Sequence, residues 1–164
     1  MKDNGLTTNI LFQAEDFYEA FKRCLKEMPH ESSSGKGTIV SIPAIVNGAF
    51  SLELYFNLLA KRYYPTHHLS KLFSHIDSKT RKMIIDNTLP KLNGIYQYKD
   101  SSFEDILNDI DDLFVEWRYI FSDNKRAGFF GNRINRYIPA LTFLLDEISV
   151  ISRKRYKDLK YIKQ

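Results

Sequence analysis

One carboxylate, Glu53, lies in an otherwise uncharged stretch of the chain between Lys36 and Lys61. The 24 residues of this stretch are apolar on nearly every side of a helix, which predicts a helix surrounded by other helices. An ionised carboxylate in such a place is unfavourable unless it is paired or hydrogen-bonded. Glu53 therefore predicts a buried cation or hydrogen-bond donor beside it.

Arg118 is the first candidate partner for Glu53. It follows Trp117 on a predicted helix whose apolar stripe faces the core, and an arginine can hold a carboxylate through two parallel hydrogen bonds. Such a pair would either fix the register of two helices or belong to a catalytic or ligand-binding cluster. The sequence leaves both interpretations open.

Three histidines, His67, His68 and His75, lie close together in the sequence; His67 is a candidate general base, and helix capping or surface exposure is the alternative for His67 and His68. His67 and His68 fall at the predicted start of a short helix, where the helix dipole favours an anion or a neutral imidazole. Neither has the i, i+4 spacing to His75 that a two-histidine metal site on one helix requires, and no second Cys/His cluster exists. We therefore expect no metal and no cofactor.

A second enzyme class is suggested by a stripe of carboxylates on one predicted helix, at Asp105, Asp109, Asp112 and Glu116. Such groups could hold Mg²⁺, as in the all-α nucleoside triphosphate pyrophosphatases. However, they lie opposite the apolar stripe of their helix, whereas metal ligands in a helical bundle project inward. A solvated face is the favoured interpretation, and the pyrophosphatase is kept as an alternative.

Basic and aromatic residues alternate in the segment KRAGFFGNRINRY, which contains Lys125, Arg126, Arg133 and Arg136. Residues 1–123 carry 14 Lys/Arg against 17 Asp/Glu, while residues 124–164 carry 10 against 3. This pattern is typical of stacking platforms for single-stranded RNA and suits a nucleic-acid partner. Alternatively, the aromatic residues fill one end of the bundle and the charges only keep the surface soluble.

Helical spacing dominates the chain, so the predicted class is all-α: a single domain, residues 1–164, with about five to six helices around the central apolar helix. The predicted helices cover about 8–28, 42–64, a short segment after Thr66, a segment opened by Asp77 or Ser78, 101–121 and 132–157. Polar interruptions in the apolar stretch argue against a membrane span. With Cys24 as its only cysteine, the chain cannot form an internal disulfide, and we expect a cytoplasmic protein.

Three pieces of the chain resemble the HEPN domains, small all-α modules of prokaryotic toxin–antitoxin and defence systems, and in particular uncharacterised bacterial relatives. They are AFSLELYFNLLAKRYYPTHHLSKLF, FVEWRYIF and the long last helix. The resemblance implies a HEPN-like bundle, a homodimer and a connection to nucleic acid or nucleotides. It does not imply the family's ribonuclease chemistry, because the Arg-x4–6-His motif on a late helix is missing and Arg62 and His67 have that spacing only across a predicted loop.

The leading hypothesis is a HEPN-like protein that binds or processes nucleic acid or a nucleotide, without entering a membrane. Its catalytic candidates are Glu53, His67, Arg118 and Tyr119, and its phosphate-binding candidates lie in the segment 125–136. The alternative is a non-catalytic interaction module, antitoxin-like or a scaffold, in which the polar cluster is structural.

Overall fold

The structure is a computed structural model that describes residues 4–28, 37–111, 113 and 131–158, with side chains for 5–28, 41–111, 113 and 134–158. These residues form helices and connecting turns without a β-strand, so the predicted all-α class is confirmed for the described part of the chain. The helices are α1 (Asn4–Glu27), α2 (Gly37–Leu59), α3 (Leu69–Ser74), α4 (Ser78–Leu92), α5 (Phe103–Ile110) and α6 (Gly131–Arg155), with a short 3-10 helix at Tyr96–Tyr98.

α2 is the central helix. It packs mainly against α1 and α6, and residues from all of its sides are buried, including Ile45, Leu52 and Phe56, which have no exposed surface. At Gly48 the three helices approach closely: a Cβ there would lie 3.0 Å from Cδ2 of Phe21 and 3.2 Å from a methyl carbon of Leu141. A larger residue would require the side chains of Phe21 and Leu141 to shift.

The stretch Ser41–Leu59 is long and apolar enough to cross a membrane by length and composition, with a mean hydropathy of 1.3. Inside the fold, however, 72% of this stretch is buried against the other helices. That burial is typical of the core helix of a globular bundle.

The ends of α2 differ from the prediction of about 42–64. The helix begins at Gly37, so Pro43 lies inside it rather than in its first turn, and it ends at Leu59 rather than near Tyr64. It ends there because Lys61 adopts a left-handed conformation, with φ 58°. The last carbonyls of α2 accept hydrogen bonds from the C-terminal end of α6 and the residue that follows it. Arg155 donates to the oxygen of Leu59 at 3.4 Å, and the hydroxyl of Tyr156 donates to that of Leu58 at 2.8 Å.

α5 also ends earlier than predicted. It begins with a capping box between Ser102 and Asp105, but Asp111 leaves the helical conformation with ψ 147°. Its carboxylate accepts a hydrogen bond from the backbone N–H of Ser70 at 2.9 Å, in the first turn of α3. Asp111 thus satisfies a helix N-terminal donor of a neighbouring element, and the extended conformation brings it there. The predicted continuation to residue 121 lies outside the described residues, except for residue 113, which is helical.

Candidate functional site

Glu53 lies on α2 with only 3% of its surface exposed, as the sequence predicts for a residue of the central helix. One turn later Asn57, 1% exposed, donates from Nδ2 to the backbone oxygen of Glu53 at 3.1 Å. The Oδ1 of Asn57 accepts the backbone N–H of Tyr64 at 2.8 Å. Asn57 therefore ties the connection between α2 and α3 to the helical turn that carries Glu53.

The observed partner of Glu53 is His67, which lies on that connection. Nδ1 of His67 is 2.9 Å from Oε2 of Glu53. The two side chains differ sharply in exposure, with 4% for Glu53 and 48% for His67. A buried carboxylate thus holds one edge of an imidazole whose ring reaches solvent.

Burial raises the pKa of Glu53, and the hydrogen bond from His67 and the charge of its imidazolium oppose that rise. With Glu53 ionised, Nδ1 of His67 is the donor in this hydrogen bond. The carboxylate then fixes the tautomer and orientation of the ring and stabilises an imidazolium, so that Nε2, on the opposite edge, can take and return a proton. This is the arrangement of a general acid–base pair.

The loop that carries His67, residues 60–68, also carries an exposed basic and aromatic cluster, Lys61, Arg62 and Tyr63. Tyr63 is 54% exposed, and the three residues line a small cleft against α1. The guanidinium of Arg62 lies 5.5 Å from the ring centre of Tyr64, which in turn stacks on His75 with centres 3.9 Å apart and planes 3° apart. Cations next to exposed aromatic rings can contact phosphates and bases.

These loop residues were missed as candidates in the sequence. The signal was present in Lys-Arg-Tyr-Tyr, a basic–aromatic pattern of the kind that was noticed in the segment 125–136. The predicted central helix, 42–64, assigns these four residues to its last turn, whereas the structure places them after the end of α2.

Of the phosphate-binding candidates, Arg136 is the one whose side chain is described, and it is already engaged within the protein. It donates to Oδ1 of Asp109 at 2.6 Å and to the hydroxyl of Tyr137 at 3.2 Å, and its side chain is 25% exposed. Tyr98 donates to the same aspartate at 2.6 Å. Lys125, Arg126 and the side chain of Arg133 lie outside the described residues.

Two catalytic candidates, Arg118 and Tyr119, also lie outside the described residues, so the Glu53–Arg118 pair stays a prediction. His68 is the N-cap residue of α3 and His75 its C-cap residue. Of the carboxylate stripe, Asp105 belongs to the capping box of α5 and Asp109 is held by Tyr98 and Arg136, while Asp112 and Glu116 are not described. Within the described ranges, no three His, Cys, Asp or Glu side chains are grouped to hold a metal.

Comparisons of the chain with protein-family models, with curated proteins and with solved structures find no match.

Proposed function

We propose that this chain binds single-stranded nucleic acid or a nucleotide on the loop 60–68 and processes it at the Glu53–His67 pair. One observation carries the proposal: a 3% exposed carboxylate is hydrogen-bonded to the imidazole of a half-exposed histidine. The proposal includes the HEPN-like bundle, the homodimer and the cytoplasmic location that the sequence led us to expect.

In this mechanism His67 acts as the general base. Nε2 accepts the proton of an attacking hydroxyl or water while Nδ1 stays hydrogen-bonded to Glu53, which stabilises the imidazolium that forms. The proton then passes to the oxygen of the leaving group, so that the pair returns to its starting state. Lys61 and Arg62 would bind the phosphate charge, and Tyr63 would stack on a base.

Arg118, Tyr119 and the segment 125–136 stay in the proposal as further contributors to phosphate binding. The engagement of Arg136 with Asp109 supports a structural contribution from that residue, and it makes the loop the better first target. Lys61 and Arg62 are both exposed, and no ion pair with a described carboxylate holds either side chain.

The test is binding of a short fluorescent single-stranded RNA at two salt concentrations, for the unaltered protein and for the double variant Lys61→Ala/Arg62→Ala. Each lost phosphate contact should lower the slope of log K against log salt by about 0.7. The matched control is Lys79→Ala/Lys82→Ala, which removes two exposed lysines of α4 and should bind like the unaltered protein.

Retained binding in the loop variant, together with loss in Arg133→Ala/Arg136→Ala, would move the interface to α6. Absence of binding by the unaltered protein at low salt would refute the nucleic-acid proposal and favour the interaction module. A melting temperature that rises with added Mg²⁺ and nucleotide would instead favour the pyrophosphatase. The homodimer is tested by the mass in light scattering.

A further inference from the structure

A cavity separate from the Glu53–His67 pair lies between α3, α4 and α5. Its walls are mainly apolar, with Phe73, Ile85, Phe103 and Leu107 around a volume of about 240 Å³. The rings of Phe73 and Phe103 form one wall, with centres 4.9 Å apart. An apolar cavity of roughly 150 Å³ accommodates benzene, so this one can hold a single ring with a short side arm.

One cationic side chain, Arg81, lines this apolar cavity. Its Nε is buried, and no hydrogen-bond partner for it lies among the described residues. Buried polar groups in proteins nearly always have a partner, and a guanidinium is shaped to hold a carboxylate through two parallel hydrogen bonds. The combination matches the two parts of an organic acid, an apolar body and a carboxylate.

We propose that this cavity is a binding site for a small carboxylic acid with an aromatic or compact apolar body. The carboxylate binds Arg81, and the body packs against Phe73 and Phe103. The hydroxyl of Ser74, which also lines the cavity, donates to the backbone oxygen of Lys71 at 2.7 Å and contributes to the polar rim. Glu104, exposed at the same rim, repels a second negative charge and limits the site to singly charged acids.

The site is tested with 3-phenylpropionate and its amide, which share shape but not charge, by saturation-transfer NMR and titration. We expect the acid to bind at least about tenfold tighter than the amide. Arg81→Gln should abolish that preference, Arg81→Lys should keep part of it, and Glu104→Gln should strengthen binding of the acid. Arg23→Gln removes an exposed arginine of α1 and serves as the matched control with unchanged binding.

The proposal would be overturned by equal binding of the acid and the amide, or by acid binding that Arg81→Gln retains. It would also be overturned if the unaltered protein transfers no saturation to the acid. The melting temperature of Arg81→Gln should stay close to that of the unaltered protein, because the substitution removes an Nε that has no hydrogen-bond partner among the described residues. His67→Asn should bind the acid normally, which separates this site from the proposed nucleic-acid site.

Discussion

Two carboxylates, Glu15 beside the central helix and Glu53 on it, are held in very different ways. Glu15 on α1 accepts from the hydroxyl of Tyr55 on α2 at 2.9 Å and from Nε of Arg153 on α6 at 2.9 Å. Glu53 instead forms a hydrogen bond with His67, which lies on a loop. Each observed partner of Glu15 belongs to a long packed helix, so that cluster fixes the mutual register of α1, α2 and α6.

The two clusters also perturb protonation differently. Burial, followed by the neighbouring charge of Glu15, raises the pKa of Tyr55 well above its usual range, so this hydroxyl stays protonated. Burial also raises the pKa of Glu53, but there the hydrogen bond from His67 opposes the rise. A polar cluster can therefore be structural or chemical, and exposure of one partner on a loop distinguishes the two.

The largest difference between the clusters should appear in His67→Asn. The amide nitrogen of asparagine replaces the Nδ1 donor to Glu53 but cannot take up a proton at neutral pH. Any nucleic-acid processing rate should fall by about 10²- to 10⁴-fold, while the free energy of unfolding changes by less than about 1 kcal/mol. Single-turnover rates and urea unfolding measure both quantities, and an unchanged rate would contradict the catalytic role of His67.

Glu15→Ala should have the opposite pattern of effects, with a loss of stability and an unchanged processing rate. It leaves the hydroxyl of the fully buried Tyr55 without this acceptor and removes the ion pair of Glu15 with Arg153 on α6, which should lower the free energy of unfolding by about 1–3 kcal/mol. The rate measured on folded protein should not change. Glu19→Ala, which removes an exposed carboxylate one turn further along α1, is the matched control. If Glu15→Ala and Glu19→Ala are equally stable, the Glu15 cluster does not stabilise the fold.

The pH dependence of stability should identify Glu53. Because its pKa is raised from the ordinary 4.5, the folded protein binds this proton more tightly than the unfolded chain. The resulting stabilisation is present below about 4.5 and is lost as the pH rises through the pKa of the folded state. Relative to Glu53→Gln, the unaltered protein should thus lose stability on going from pH 4 to pH 7, and a flat difference in melting temperature would refute the raised pKa.

Tyr55→Phe should have the smallest effect. Removing the hydroxyl deletes one hydrogen bond to Glu15 and leaves Arg153 in place, so the unfolding free energy should fall by about 0.5–1.5 kcal/mol. The processing rate should be unaffected. If this variant lost as much processing rate as His67→Asn, the Glu15 cluster could not be called purely structural.

Much of the fold followed from local patterns. The N-cap at Asp77, which accepts from the backbone of Thr80 at 3.0 Å, is one of the two helix starts that the residue types predict, and α5 starts close to the predicted residue 101, at a capping box between Ser102 and Asp105. The ends of α2 and α5 were not predicted, because Lys61 and Asp111 stop these helices through a left-handed turn and a contact with α3. Neither residue type is a strong helix terminator by itself.

The sequence by itself determined that the chain is helical, that α2 is buried on all sides and that Glu53 needs a polar partner. Periodicity and the electrostatics of burial are properties of the residues and their order. Only the tertiary structure decided that His67 is a partner of Glu53, that Arg136 pairs with Asp109 and that Arg81 lines an apolar cavity. Those outcomes depend on where the chain turns between helices, and contacts across the fold set those turns.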